Sequence, residues 1–209
     1  KCLNAYKIEE LINTLGEYIS TKGISQLRIA ETEKYAHVTY FFDGGVEKDL
    51  PKCKRILINS PKVSTYDLKP EMSAFEITDN LIEEIAKNKP SLIVLNFANG
   101  DMVGHTGNYD AAVKAVETLD NCLGKILKNI DLEEYTLIVT ADHGNCEVMI
   151  NDDGTINTQH TTNKVPFIVC DKTLKVKNGK LGDIACSVLD IMGIEIPKEM
   201  TGNSLIERI

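Results

Sequence analysis

The chain has 209 residues, 43% of them hydrophobic and 26% charged, with a formal net charge of −8. That is enough for one sizeable core, and the composition is that of an ordinary soluble globular protein. The acidic balance argues against a nucleic-acid surface, which needs a basic stripe; no apolar stretch is long enough to span a bilayer, and no secretory leader is visible at Lys1.

In chain order, residues 8–21 suit an amphipathic helix, with Gly23 as its stop signal. Gln26–Ala30 reads as a short strand. Ala36–Phe42 reads as a second strand, closed by Asp43-Gly44-Gly45, and Arg55–Asn59 as a third. Residues 72–87 look helical, with Ser73 and Glu76 at capping-box spacing. Ser91–Phe97 (SLIVLNF) has the β-branched, apolar character of a strand buried on both faces. A long helix follows from about Asn108. Its apolar positions Ala112, Ala115, Val116, Leu119, Leu123, Ile126 and Leu127 are spaced by three and four. Tyr135–Thr140 and Val165–Cys170 are further strands, with a polar, loop-like stretch over 150–163 between them. A last helix covers Leu181–Met192 and ends at Gly193. Strand, helix, strand in alternation predicts an α/β fold with a mostly parallel sheet flanked by helices. The six cysteines, at 2, 53, 122, 146, 170 and 186, include no C-x-x-C pair. They read as reduced thiols of a cytoplasmic protein, with Cys122 and Cys186 packed among apolar helix residues.

In an open parallel sheet, functional groups gather beyond the carboxyl ends of the strands. SLIVLNF is followed by ANGDMVGHTG, with Asp101 and His105; YTLIVT is followed by ADHGN, with Asp142 and His143. Parallel strands would put these four side chains at one edge. His160 sits just before the strand at 165–170, so either the 144–164 loop folds back over the site or that strand runs antiparallel. Carboxylate with neutral imidazole suits Zn²⁺ or Mn²⁺, and no thiolate cluster points to a structural zinc. Two carboxylates and three imidazoles exceed what one catalytic ion uses and point to two ions clamping a phosphoryl group. Asp101, His105 and His160 would serve one, Asp142 and His143 the other. Taken singly, each Asp-His pair reads as a helix N-cap or a turn; it is their collection at one edge that favours a metal site. His37, alternating with Val38 and Tyr40, reads as a packed or surface histidine.

QLRIAETEKYAHVTYFFDGG (26–45), SPKVSTYDLKPEMSA (60–74), LNFANGDMVGHTG (95–107), VTADHGNCE (139–147) and QHTTNKVPF (159–167) closely resemble the cofactor-independent phosphoglycerate mutases of the alkaline phosphatase superfamily. The blocks stand in the family's order and reach from about Gly16 to about Leu205. The resemblance implies interconversion of 3-phosphoglycerate and 2-phosphoglycerate in glycolysis through a phosphoserine intermediate. It implies two Mn²⁺ ions, with Zn²⁺ or Mg²⁺ as alternatives, a small-molecule substrate with no membrane partner, and a monomer at full length. Asp101, His105 and His160 would hold one ion and Asp142 and His143 part of the second. Lys34 would contact the phosphoryl group or the serine oxygen; outside the motif it would read as a surface lysine.

The family's opening strand with its Asp ligand, the nucleophilic serine, and the inserted glycerate-binding domain have no counterpart here. Residues 1–209 are therefore expected to be the C-terminal part of a metal-binding phosphatase-like domain, cut from a mutase of roughly twice this length. On that expectation the second ion is bound poorly and the chain alone is inactive. The competing readings are another phosphatase, phosphopentomutase or sulfatase of the superfamily, and a non-catalytic metal-binding or interaction module.

Overall fold

The computed structural model describes residues 11–209. Its centre is a three-stranded parallel sheet in the order β2-β1-β3, formed by Gln26–Glu31 (β1), Cys53–Ile58 (β2) and Leu92–Asn96 (β3). Ile29 aligns with Ile56 on one side and Leu95 on the other. Every residue of β1 is buried, as expected of a central parallel strand covered on both faces. Helices Ala74–Asn88 (α3) and Tyr109–Asn129 (α5) cover one face; their Ile77, Leu81, Ile85 and Ile126 pack with Leu27, Ile29 and Ile58. Leu15–Thr21 (α1) and Ile184–Ile191 (α6) cover the other, where Leu15, Ile19 and Leu189 meet Leu92. The fold is thus mixed α/β, a parallel sheet flanked by helices.

The remaining strands form two antiparallel pairs. Leu137–Thr140 (β4) pairs with Phe167–Cys170 (β5), and Leu174–Val176 (β6) with Ile206–Arg208 (β7). Among the described residues, β4 shares no ladder with β3, so the two apolar runs belong to separate sheets. Of the two routes that would carry His160 back to the site, the antiparallel strand is realised, and the loop also bridges Gly144 to Thr161.

Three local expectations change. The predicted strand at 36–42 is instead the end of a helix, Thr32–Val38 (α2), followed by a tight turn. Lys34 and Val38, four apart, form its buried face, so a helical spacing had been masked by a short polar-apolar alternation. Tertiary contacts override the strand preference of these aromatic and β-branched residues. Arg28 explains where α2 stops. Its fully buried guanidinium donates to Val38 O at 2.8 Å and Gln26 Oε1 at 2.7 Å, lies 3.4 Å from Asp43, and stacks on Phe42. Asp43 also accepts from Arg55 at 3.1 Å, and Gly44 and Gly45 turn the chain at φ +83° and +79°, where a side chain would be strained. The capping box at Ser73 does not form: Ser73 Oγ donates to Asn59 O at 2.8 Å instead. The first helix is shorter than predicted, starting at Leu15; residues 8–10 of that prediction, and Cys2, lie outside the described residues. The long helix begins as expected, with Asn108 accepting from Ala111 N at 3.2 Å. Cys122 and Cys186 are buried and free, and Cys53, Cys146 and Cys170 are free and half-buried. No helix is long and apolar enough to cross a membrane among the described residues.

Candidate metal centre

Three strand ends supply the site. Lys34 comes from α2, directly after β1. Asp101 lies in the short helix Asn99–Gly104 (α4) after β3, with His105 as its C-cap. Asp142 and His143 follow β4. His160 arrives on the loop before β5. Ala98 and Val103 of the α4 segment pack with Ala111, Ala112, Ala115 and Met149, which seats Asp101 against the start of α5.

Asp101, His105 and His160 converge, with one donor atom from each inside 4.8 Å of the others. His105 Nε2 is 3.0 Å and His160 Nε2 2.9 Å from Asp101 Oδ1, and the two nitrogens are 3.0 Å apart. Donors about 2.1 Å from a common ion and at right angles to one another lie about 3.0 Å apart. The protonation pattern agrees. His105 Nδ1 is 2.7 Å from Thr158 O, an acceptor only, so the ring's proton belongs on Nδ1 and Nε2 carries a lone pair. A lone pair aimed at a carboxylate oxygen and at a second imidazole nitrogen is a cation-binding arrangement. His143 is oriented in the same sense: Nδ1 meets Gly144 O at 3.2 Å, while Nε2 faces Asp142 at 3.7 Å and Asp101 at 3.9 Å. Its ring stacks on His160 at 3.7 Å. Asp142 and His143 therefore border the three-donor cluster without joining it.

Lys34 reaches the other oxygen of Asp101, with Nζ 2.6 Å from Oδ2; the side chains are only 6% and 13% exposed. Burial pushes the Asp101 carboxyl up. Hydrogen bonds from Lys34 and Asn145, and the charge of Lys34, outweigh this and lower its pKa to about 2. It is a carboxylate throughout the physiological range. The face of α2 that carries Lys34 is fixed at both ends, by Arg28 at Val38 and by Ser60, whose backbone NH donates to Thr32 Oγ1 at 3.1 Å and whose hydroxyl donates to Glu31 at 2.8 Å. His37 is half-buried on α2, edge-on to Phe41 at 5.3 Å, and burial followed by the Lys34 charge lowers its pKa. Of the two alternatives the sequence leaves, packed or surface, it is the packed one.

Sequence reasoning missed Asn145 and Glu147. Asn145 is 5% exposed and its Nδ2 donates to Asp101 Oδ1 at 2.8 Å. Glu147 accepts from Asn145 N at 2.6 Å and from Asn163 Nδ2 at 3.1 Å. Both stand in VTADHGNCE, within three residues of Gly144 and four of His143, but neither residue type is diagnostic without the fold. Cys146, close in sequence, stays outside the donor cluster; its sulfur lies near Gly100, and the residue packs against the apolar cluster that includes Ala98, Val103 and Met149.

A parallel sheet flanked by helices, with carboxylate and imidazole donors gathered beyond its strand ends, is an alkaline-phosphatase-like arrangement. The chain belongs to the metalloenzyme superfamily, which it matches over residues 6–196. It is 56% identical over 209 residues to the 2,3-bisphosphoglycerate-independent phosphoglycerate mutase of Clostridium perfringens, across 98% of this chain and 41% of that protein. It is 57% identical over 206 residues to the enzyme of the same description from Clostridium beijerinckii, across 97% of this chain and 40% of that protein. Among solved structures, Leishmania mexicana phosphoglycerate mutase, crystallised at low cobalt concentration, superposes with a TM-score of 0.87 at 28% identity, over 95% of this chain and 40% of its own. The chain thus spans about two fifths of the length of these relatives.

Proposed function

We propose that the chain is the C-terminal, metal-binding part of a phosphoglycerate mutase that interconverts 3-phosphoglycerate and 2-phosphoglycerate without 2,3-bisphosphoglycerate. The observation that carries this reading is the donor set itself. One carboxylate oxygen and two imidazole nitrogens stand about 3 Å apart, and a buried lysine neutralises the other oxygen. Similarity to the clostridial mutases over almost the whole chain narrows the substrate from phosphate esters in general to phosphoglycerates.

Asp101, His105 and His160 would hold one ion, and Asp142 and His143 would supply part of a second site. Imidazole-rich donors favour Mn²⁺ or Zn²⁺ over Mg²⁺, and Mn²⁺ is our assignment. When bound, the ions would supply charge stabilisation for the transferring phosphoryl oxygens. This chain's own residues do the rest of the positioning. Asp101 presents Oδ1 to the imidazoles and Oδ2 to Lys34. Thr158 O and Gly144 O keep Nδ1–H on His105 and His143, so Nε2 of each faces the site. Lys34 places a buried ammonium beside the cluster, where it counters developing negative charge. The phosphoserine route implied by the resemblance needs a serine for which this chain has no matching block, so the 209 residues alone are proposed to be inactive, and the whole protein to be a cytoplasmic monomer.

Calorimetric titration with Mn²⁺ tests the site: one tight ion per chain is expected, with the second weak. Two tight ions would show that the ligand division is wrong. A phosphoglycerate turnover assay on the 209-residue chain should give no activity, and measurable turnover would overturn the inactivity. The same assay on a longer protein containing this sequence, run beside ribose phosphates, should show a preference for phosphoglycerates; a preference for ribose phosphates would favour a phosphopentomutase.

A further inference from the structure

Three separate chain segments carry the donors of the candidate cluster and the pair that borders it: 101–105 and 160 hold the donors, and 142–143 holds the pair. A single hydrogen-bonded unit joins all three. Asn145 Nδ2 donates to Asp101 Oδ1 at 2.8 Å and to Asp101 O at 3.2 Å. Both partners are acceptors, so the amide orientation is fixed. Asn145 N donates to Glu147 Oε2 at 2.6 Å. The other oxygen, Oε1, accepts from Thr161 Oγ1 and, at 3.1 Å, from Asn163 Nδ2. Thr161 N closes the unit on Gly144 O at 2.9 Å. Thr161 is the neighbour of His160, and Gly144 the neighbour of His143.

The backbone is shaped to admit this unit. A Cβ on Gly104 would lie 2.8 Å from Asn145 Cγ and closer still to its Oδ1. A Cβ on Gly144 would lie 2.9 Å from Glu147 Cδ and collide with Glu147 Oε1 and Thr161 Oγ1. Real Cβ atoms do not come that close, so each glycine sits where the network presses against the chain.

We propose that Asn145 and Glu147 are positioning residues of the metal centre: the Asn145 amide holds Asp101 with one Oδ1 lone pair free for the ion, and Glu147 ties the His160 segment to the turn that carries Asp142 and His143. Asp101 is then gripped from two sides, by Asn145 on Oδ1 and by Lys34 on Oδ2. It cannot swing to a bidentate pose or turn its second oxygen to the imidazoles. The inference rests on the reading of Asp101, His105 and His160 as a divalent-cation site and adds to it the groups that assemble the site. Neither residue touches substrate on this view; each acts through a ligand or the segment that carries one.

The test is Mn²⁺ titration calorimetry on the 209-residue chain and on Asn145→Ala, Glu147→Ala and Glu147→Gln, with thermal melts of each in chelator. Loss of a group that orients a metal ligand typically weakens metal affinity about 10–100-fold. Asn145→Ala and Glu147→Ala are expected to bind Mn²⁺ at least about tenfold more weakly. Glu147→Gln keeps an acceptor for Asn145 N and can donate to Thr161 Oγ1, so it should stay within about threefold of the unsubstituted chain. A purely structural role would lower the chelator melts of both alanine variants and leave the affinity of the folded fraction unchanged, and that result overturns the proposal. Should Asn145→Ala not fold, the Glu147→Ala and Glu147→Gln pair decides alone. An unsubstituted chain that binds no Mn²⁺ overturns the metal-centre reading and this inference with it, whereas tight binding by both the unsubstituted chain and Asn145→Ala overturns this inference only.

Discussion

Replacing Lys34 by Met keeps the aliphatic stem and removes the charge that Asp101 leans on. In chelator, the metal-free chain should then lose the stability that comes from holding Asp101 ionised. The Asp101 pKa is lowered from an ordinary 3.8 to about 2. At 1.36 kcal/mol per unit that is about 2.5 kcal/mol at neutral pH, and the pair is too buried for solvent to screen most of it. The direction with pH follows from the depressed folded-state pKa. The contribution is fully present above the unfolded value of about 4, falls to about half by pH 3, and vanishes below about 2. Part of this comes from the Asn145 bond, which Lys34→Met leaves in place, so the variant should melt up to about 5–10 °C below the unsubstituted chain at pH 7, on the usual slope of about 2–4 °C per kcal/mol for a chain of this size. The gap should narrow as the pH falls towards 3. Saturating Mn²⁺ should narrow it too, because a divalent cation on Oδ1 takes over the neutralisation of Asp101. Calorimetric melts at pH 7 and pH 3.5, with and without the ion, give all four values. A gap that is absent at pH 7, or that widens on acidification, refutes the assignment of Lys34 as the partner that keeps Asp101 charged.

Gly104→Ala, which improves helix propensity in α4, should nevertheless weaken Mn²⁺ binding about tenfold, because its methyl displaces the Asn145 amide; unchanged affinity by calorimetry would count against the close approach. Glu31 is fully buried, and burial raises its pKa despite the hydrogen bonds from Ser60 and Ser73. A raised folded-state pKa means that ionisation costs stability as the pH climbs through it. Glu31→Gln, which keeps an acceptor for Ser60, should thus melt at or above the unsubstituted chain at pH 8, with the advantage shrinking towards pH 4.5; a lower melting point at pH 8 would be the contrary result. Mn²⁺ at about 100 times its dissociation constant should stabilise the folded chain by about 2.7 kcal/mol, seen as a chelator-reversible rise in melting temperature, and His105→Ala should abolish most of that rise.

The site was more legible than the frame around it. Asp101, His105, Asp142 and His143 each follow an apolar run, so the rule that function collects at strand carboxyl ends placed them without knowledge of pairing. The frame depends on pairing, which short apolar runs do not encode. Leu137–Thr140 and Leu92–Asn96 look alike as sequence, yet one joins an antiparallel pair and the other a parallel sheet. The α2 segment was misread because Tyr35, Val38, Tyr40 and Phe41 carry strand propensity, while what decides its conformation is Arg28, distant in sequence from Val38 and Asp43 and joined to both. Ser73 had the sequence of a cap, but the carbonyl of Asn59 was the better partner. Asn145 and Glu147 were invisible for a further reason: an amide and a carboxylate acquire a role only when the backbone carbonyls, hydroxyls and glycines around them are in place.

That placement bears on what an ion would do to the fold as well as to chemistry. β3 with α4 and β4 with β5 approach each other at the cluster, and among the described residues no strand ladder joins them. Besides Met149, which packs with Ala98, Val103 and Ala112, what joins them is polar and local: Asn145 to Asp101 and His105 to Thr158 O. Such bonds contribute about 1 kcal/mol each, and about 1.5–3 kcal/mol where the acceptor is a carboxylate. Donors from both units, Asp101 and His105 from one and His160 from the other, would meet on a single ion. Its binding free energy would therefore act between the units. The ion would in this sense be a further tie between the helix-flanked sheet and the β4–β5 pair, and the contact of His105 Nδ1 with Thr158 O and the two-sided grip on Asp101 prepare the protein side of that tie before any ion arrives.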